Sequence, residues 1–326
     1  MELLEVDKQA HKMIVAWMLS LLNQDKVKGD ERLALGLDVV EGGLFEYLYR
    51  LVITDIKPPI FYKIKENPEH YQRLTKWVLG ELEPRVQSLG PDFTARLTQY
   101  LKQPTPATSP GSDSGVLGLP GHGEPETRVL ARKILAASHL YASYWEFKHI
   151  KRLNESDTEL NEIEQSFIHG LDCLRELTGV AELMDEDGTP LGRFARLCGR
   201  LRFQKRWSQT PRVPETSVLG HMFIVACYSY FFGLVLDSSS ARLQNGFFSG
   251  LFHDLPELLT RDIISPVKKS FQGLNDLVRE YEDLELASRV FDPLSQGGYH
   301  DLARRLAYLM GMDVGGEFKD CIREEG

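Results

Sequence analysis

Apolar positions recur at helical spacing along most of the chain, and no convincing stretch alternates with the period of a strand. Between residues 8 and 102, Leu44, Leu48 and Leu51 share a face with Tyr47, and Tyr71, Leu74, Trp77 and Val78 repeat the spacing. Pro58-Pro59 interrupts this pattern, because proline removes a backbone donor and clashes with the preceding turn. The run from Met13 to Leu22 is apolar throughout and predicts a buried helix. It is shorter than the roughly 20 residues needed to cross a bilayer. It also follows Glu2, Glu5 and Asp7 and precedes no small-residue cleavage site, unlike a signal peptide.

Residues 104–125 hold five prolines and five glycines without helical period, which predicts a surface loop or linker. Helical patterning returns from Thr127 to about Ile150 and again from Asp157 to Leu177, and a turn is expected at Asp185 to Gly188. A basic helix is expected from Leu191 to Trp207. The next helix begins near Thr216 or Ser217, both good N-caps, and its body, HMFIVACYSYFFGLVL, is apolar on nearly all sides, as expected of a central buried helix. Asn245-Gly246 is expected to open the helix FFSGLFHD, and Pro256 to bend the chain just after Asp254. Ser265-Pro266 resembles a cap followed by proline at the first helical position, with a helix running to about Val290. The fold class is therefore all-α. Its expected parts are an N-terminal helical region (1–103), a linker (104–126) and a helical domain (127–326).

Composition narrows the function. The chain has 326 residues, 42% hydrophobic and 26% charged, with formal net charge -9 and pI about 5.6. Such a surface repels a phosphate backbone, so nucleic acid is not an expected partner, and no membrane association is expected. Four scattered cysteines, Cys173, Cys198, Cys227 and Cys321, lack CxxC spacing and are expected to be buried thiols in a cytoplasmic protein.

Chemistry concentrates in the second half. His221 lies on the apolar helix, where a lone histidine is more often a core residue than a ligand. His253 and Asp254 form an imidazole–carboxylate pair at the end of another apolar helix. Both residue types ligate divalent metals of intermediate hardness, and a bend at Leu255-Pro256 leaves Asp254 at a helix terminus facing a cleft. A structural alternative exists: Asp254 as N-cap of a short helix, with Glu257 completing a capping box. It leaves His253 and Asp262 unexplained. Arg200, Arg202, Lys205, Arg206 and Arg212 form a basic cluster that is either a solvated helix face or a source of positive field for a phosphate.

The stretch Arg206 to Lys268 resembles the HD-domain metal-dependent phosphohydrolases, most of all their 5′-deoxynucleotidase branch. Three features carry the resemblance. They are Arg206-Trp207 preceding His221 within RWSQTPRVPETSVLGH, the segment FHDLPELLTRDIISPVK, and the helical context between the two histidines. The resemblance implies an HD-type helical bundle. It implies His221, His253 and Asp254 as ligands of a divalent transition metal (Mn, Co, Fe or Zn), and Glu257 as general acid/base. Asp262 is implied to act near the attacking water, Arg206 and Trp207 on substrate sugar and phosphate, and Lys268 on the phosphate side. The family's further aspartate has no clear counterpart in Asp313 or Asp320, so no fourth ligand is assigned and the domain is expected to be incomplete at its C-terminal end. The expected function is metal-dependent hydrolysis of a phosphate ester of a small substrate, a nucleotide or deoxynucleotide, in a chain that can form a homodimer. The alternative is a non-catalytic HD-like helical module for ligand binding or regulation.

Overall fold

Residues 4–54, 56, 58–103, 124–152, 159–207, 213–260 and 273–312 are described by a computed structural model of the chain. Among these residues the regular structure is helical, and the β-bridge between Lys205 and Ser217 is isolated, so the all-α expectation holds. The helix at the centre is α1 (Glu5–Leu22), buried from Asp7 to Ser20 apart from Lys8. Around it pack α2 (Arg32–Val52), α6 (Glu126–Lys151), α9 (Pro190–Gly199), α10 (Val218–Val235) and α11 (Ser240–Phe252). Outside them lie α3 (Pro58–Glu66), α4 (Pro68–Val86), α5 (Pro91–Lys102), α7 (Glu159–Asp172) and α8 (Val180–Met184). After α12 (Glu257–Thr260) come α13 (Leu274–Leu286), α14 (Asp292–Gln296) and α15 (His300–Leu309). One hydrophobic cluster joins α1, α2, α4, α5, α6 and the helices from α8 to α11, and extends to α15.

A helix surrounded on every side must satisfy its polar side chains from within the protein, because an unpaired buried polar group costs about 1–3 kcal/mol. On α1, Gln9 donates to the Gly43 carbonyl at 2.9 Å, His11 Nε2 meets the Ala195 carbonyl at 2.9 Å, and Lys12 pairs with Glu46. Asp7 accepts a hydrogen bond from Ser217 Oγ, which ties α1 to the start of α10. Trp17 packs edge-on against Phe252, the residue before His253, with ring centroids 4.7 Å apart.

The structure corrects several local expectations. The basic segment is not one helix from Leu191 to Trp207: α9 ends at Gly199, a 3-10 turn covers Arg200–Phe203, and the chain then extends at Gln204. Gly199 lies so close to His11 and Trp145 that a Cβ would sit 2.8 Å from either ring, and the helix stops there. The helix before His253 begins at Ser240, not at Asn245-Gly246, because the Ser239 side chain accepts the Arg242 N–H at 3.4 Å. α10 is buried on its inner face only; Ile224, Tyr228 and Phe232 are exposed. Cys198 and Cys227 are buried thiols, whereas Cys173 is exposed. The expected cap at Ser265-Pro266 and the residues Asp262, Lys268, Arg212, Asp313, Asp320 and Cys321 lie outside the described residues.

Candidate metal centre

The site stands where α10 starts and α11 ends. Ser217 caps α10: its Oγ accepts the Gly220 N–H at 2.8 Å, and its carbonyl accepts the His221 N–H at 3.0 Å. His221 therefore sits in the first helical turn. The two helices approach closely at Gly250, where a Cβ would lie 2.8 Å from Ala226 Cα and 2.9 Å from its nitrogen. Only glycine permits that approach without a backbone shift. It brings the end of α11 beside the start of α10, and the His221 and His253 rings meet edge to face with centroids 5.2 Å apart.

Asp254 completes the group. Its Oδ2 lies 3.2 Å from His253 Nε2 and 3.6 Å from His221 Nε2. Among the described residues, one donor atom from each of His221, His253 and Asp254 can be chosen so that all lie within 4.8 Å of one another. Bonds of about 2.1 Å to a common ion, at angles between octahedral and tetrahedral, place neighbouring donors about 3.0 to 3.4 Å apart. The 3.2 Å spacing to His253 falls in that range, and the 3.6 Å spacing to His221 lies just beyond it. His253 Nδ1 donates to the Gly250 carbonyl at 2.8 Å, which holds the ring with Nε2 turned toward Asp254; a metal bound there would take the Nε2 electron pair in place of a proton. Two imidazoles and one carboxylate suit a divalent transition metal, so the residues present fit the group that the sequence implies.

Arg206 borders the cluster, its Nη1 donating to Asp254 Oδ2 at 2.9 Å. It is held there by the stretch that follows α9. Arg206 N–H donates to the Thr216 carbonyl, and Val218 N–H to the Gln204 carbonyl, both at 2.9 Å. Two hydrogen bonds thus clamp residues 204–206 against the cap of α10. Trp207 follows with φ of 54°, a left-handed conformation unusual for a bulky residue, and its side chain is exposed. Burial pushes the Asp254 carboxyl up. The hydrogen bond from His253 and the charges of His253 and Arg206 outweigh that and hold it below the ordinary aspartate value. It is an anion at neutral pH.

The capping-box alternative for Asp254 is not what forms. Its backbone carbonyl, rather than its side chain, meets the Glu257 N–H at 3.1 Å, while Oδ2 faces Arg206 and the histidines. Glu257 opens α12, half-buried, one turn beyond Asp254, and Thr260 Oγ1 anchors that helix by donating to Glu282 on α13 at 2.6 Å. The basic cluster divides: Arg206 faces the site, Arg202 is buried and pairs with Glu146 at 3.3 Å, and Lys205 pairs with exposed Glu215. Two residues that position the site were not visible in the sequence. Asp7 lies 210 positions from its partner Ser217, and Gly250 shows its purpose only once Ala226 is opposite it.

Residues 198–326 match the family model described as HD domain. No curated protein and no solved structure matches the chain. The matched segment contains the whole cluster of His221, His253, Asp254 and Arg206, so the candidate site lies in the part of the chain that is similar to HD domains.

Proposed function

We propose that this chain is a metal-dependent phosphohydrolase acting on the phosphate ester of a small molecule, with a nucleotide or deoxynucleotide as the first substrate to test. The observation that carries the reading is the convergence of His221, His253 and Asp254, with Arg206 donating to the same carboxylate. His221, His253 and Asp254 would hold a divalent cation, which when bound would lower the pKa of water and offset negative charge on the phosphoryl oxygens. His253 keeps its ring orientation through Gly250, and Asp254 contributes its anionic charge. Arg206 gives one N–H to Asp254, and its planar fork has further donors for a phosphate dianion. Glu257 takes the proton released as water attacks, and Trp207 packs on the organic part of the substrate. Asp262 near the water and Lys268 on the phosphate side complete the proposed set.

The test is phosphate release from a panel of deoxy- and ribonucleoside monophosphates with added Mn²⁺, for wild type, Asp254→Ala and Glu257→Ala. The expected result is release that chelator abolishes and that each substitution lowers by about 10²- to 10⁴-fold. A deoxy-over-ribo preference that Trp207→Ala removes would support the nucleotide assignment. Release unaffected by chelator and by both substitutions contradicts the reading. Metal binding without release from any ester favours a ligand-binding helical module instead.

A further inference from the structure

The outer face of α10 continues outward from His221 as an apolar strip. At 100° per residue, Ile224, Tyr228, Phe232 and Val235 all fall within about 60° of His221 around the helix axis. They are 39, 58, 63 and 64% exposed, whereas Met222, Ala226 and Tyr230 on the inner face are buried. The Tyr228 and Phe232 rings stack at 5.9 Å with an interplanar angle of 24°, which makes one flat surface two to three turns from the histidine. No Asp, Glu, Lys or Arg occurs from Val218 to Val235. At about 1.5 Å per residue, the strip runs about 21 Å from His221 to Val235. A contiguous exposed apolar surface of this kind marks a binding site.

We infer that the phosphate ester cleaved at this site carries a hydrocarbon extension that lies along the Ile224–Tyr228–Phe232–Val235 face of α10; the inference rests on the hydrolase reading above. The occupant follows from where the strip begins. Ile224 lies about one turn along the helix from His221, so a phosphate ester held at the cluster of His221, His253 and Asp254 can extend its alcohol portion across Ile224. With no charged side chain on the helix, that portion gains from burial and finds no ion pair. The strip is also longer than a nucleoside monophosphate, so an extended chain uses it more fully than a base and sugar do.

The test measures binding without turnover: calorimetry of ethyl-, butyl-, octyl- and dodecylphosphonate to the Mn²⁺-loaded full chain, the longest of which extends about 15 Å and so reaches the Phe232 ring. Full burial of a methylene is worth about fourfold in affinity, and contact on one side about half of that logarithmically, so about twofold tighter binding per added methylene is expected. Phe232→Ser and Tyr228→Ser should flatten this dependence while leaving ethylphosphonate affinity unchanged. Both side chains are exposed, so neither change disturbs the core. A flat series in the wild type overturns the inference even when nucleotides are hydrolysed, and so does a slope that both variants retain. A wild type that sediments as a dimer, becomes a monomer on Phe232→Ser and shows a flat series assigns the strip to a second copy and overturns it too. If ethylphosphonate does not bind and no ester is hydrolysed, the hydrolase reading fails and this inference fails with it.

Discussion

Asp254 Oδ2 stands at the meeting point of three side chains: Arg206 at 2.9 Å, His253 at 3.2 Å and His221 at 3.6 Å. Of these, the pair His253-Asp254 was legible in the sequence, because adjacency at the end of an apolar helix needs no tertiary knowledge. His221 was legible only through the resemblance. By itself it is a histidine on an apolar helix, and the interior of this protein shows how ordinary that is. His11 is fully buried against Ala195, and burial, then the Arg202 charge, lowers its pKa to about 3. This has a consequence for stability. The folded protein keeps His11 neutral, while the unfolded chain protonates it below pH 6.5, so its contribution is present above pH 6.5 and is lost as pH falls from there toward 3. Between pH 7.5 and pH 5 the loss is about 2 kcal/mol. Urea unfolding at both pH values should show wild type losing about that much more than His11→Gln; equal losses would contradict the buried neutral state.

Between elements, the site depends on how closely α10 and α11 approach. The sequence placed α10 and the bend before Pro256, but not the start of α11 or the register between the two helices, because register is set by which residues are small where the backbones meet. Gly250 and Gly246 read alike in sequence. In the structure a Cβ at Gly250 would meet the Ala226 backbone at 2.8 Å, whereas one at Gly246 would lie 3.8 Å from its nearest neighbour, Ser229 Cβ. Alanine is the better helix former by about 1 kcal/mol at either position. Gly246→Ala should therefore be neutral or slightly stabilising, and Gly250→Ala should destabilise by about 1–3 kcal/mol through overpacking. Gly250→Ala should also weaken Mn²⁺ binding, since the Gly250 carbonyl holds the His253 ring. Thermal unfolding and metal titration of the two variants check this; the same response from both would show that the approach at Gly250 does not matter. α10 was misread as buried all round for a related reason. Its sequence is apolar on every side, and composition alone does not say which side has a neighbour.

Across the whole molecule, the all-α class was legible from periodicity alone, because the helical spacing of apolar residues survives without knowledge of packing. The centre of the fold was not. Met13 to Leu22 was recognised as buried, yet its place against α2, α6, α9, α10 and α11 depends on long-range partners such as Gly43, Ala195 and Ser217. Through these partners the first helix of the chain supports a site built from residues more than 200 positions away. The account rests on that site holding one divalent cation. The most direct measurement is calorimetric titration of Mn²⁺ into wild type, His221→Ala, His253→Ala and Asp254→Ala, with His300→Ala, an exposed histidine on α15, as control. The account predicts one ion per chain in wild type and in His300→Ala, and at least about 100-fold weaker binding in each of the other three, as expected when a ligand itself is lost. Equal Mn²⁺ affinity in all five proteins would contradict it.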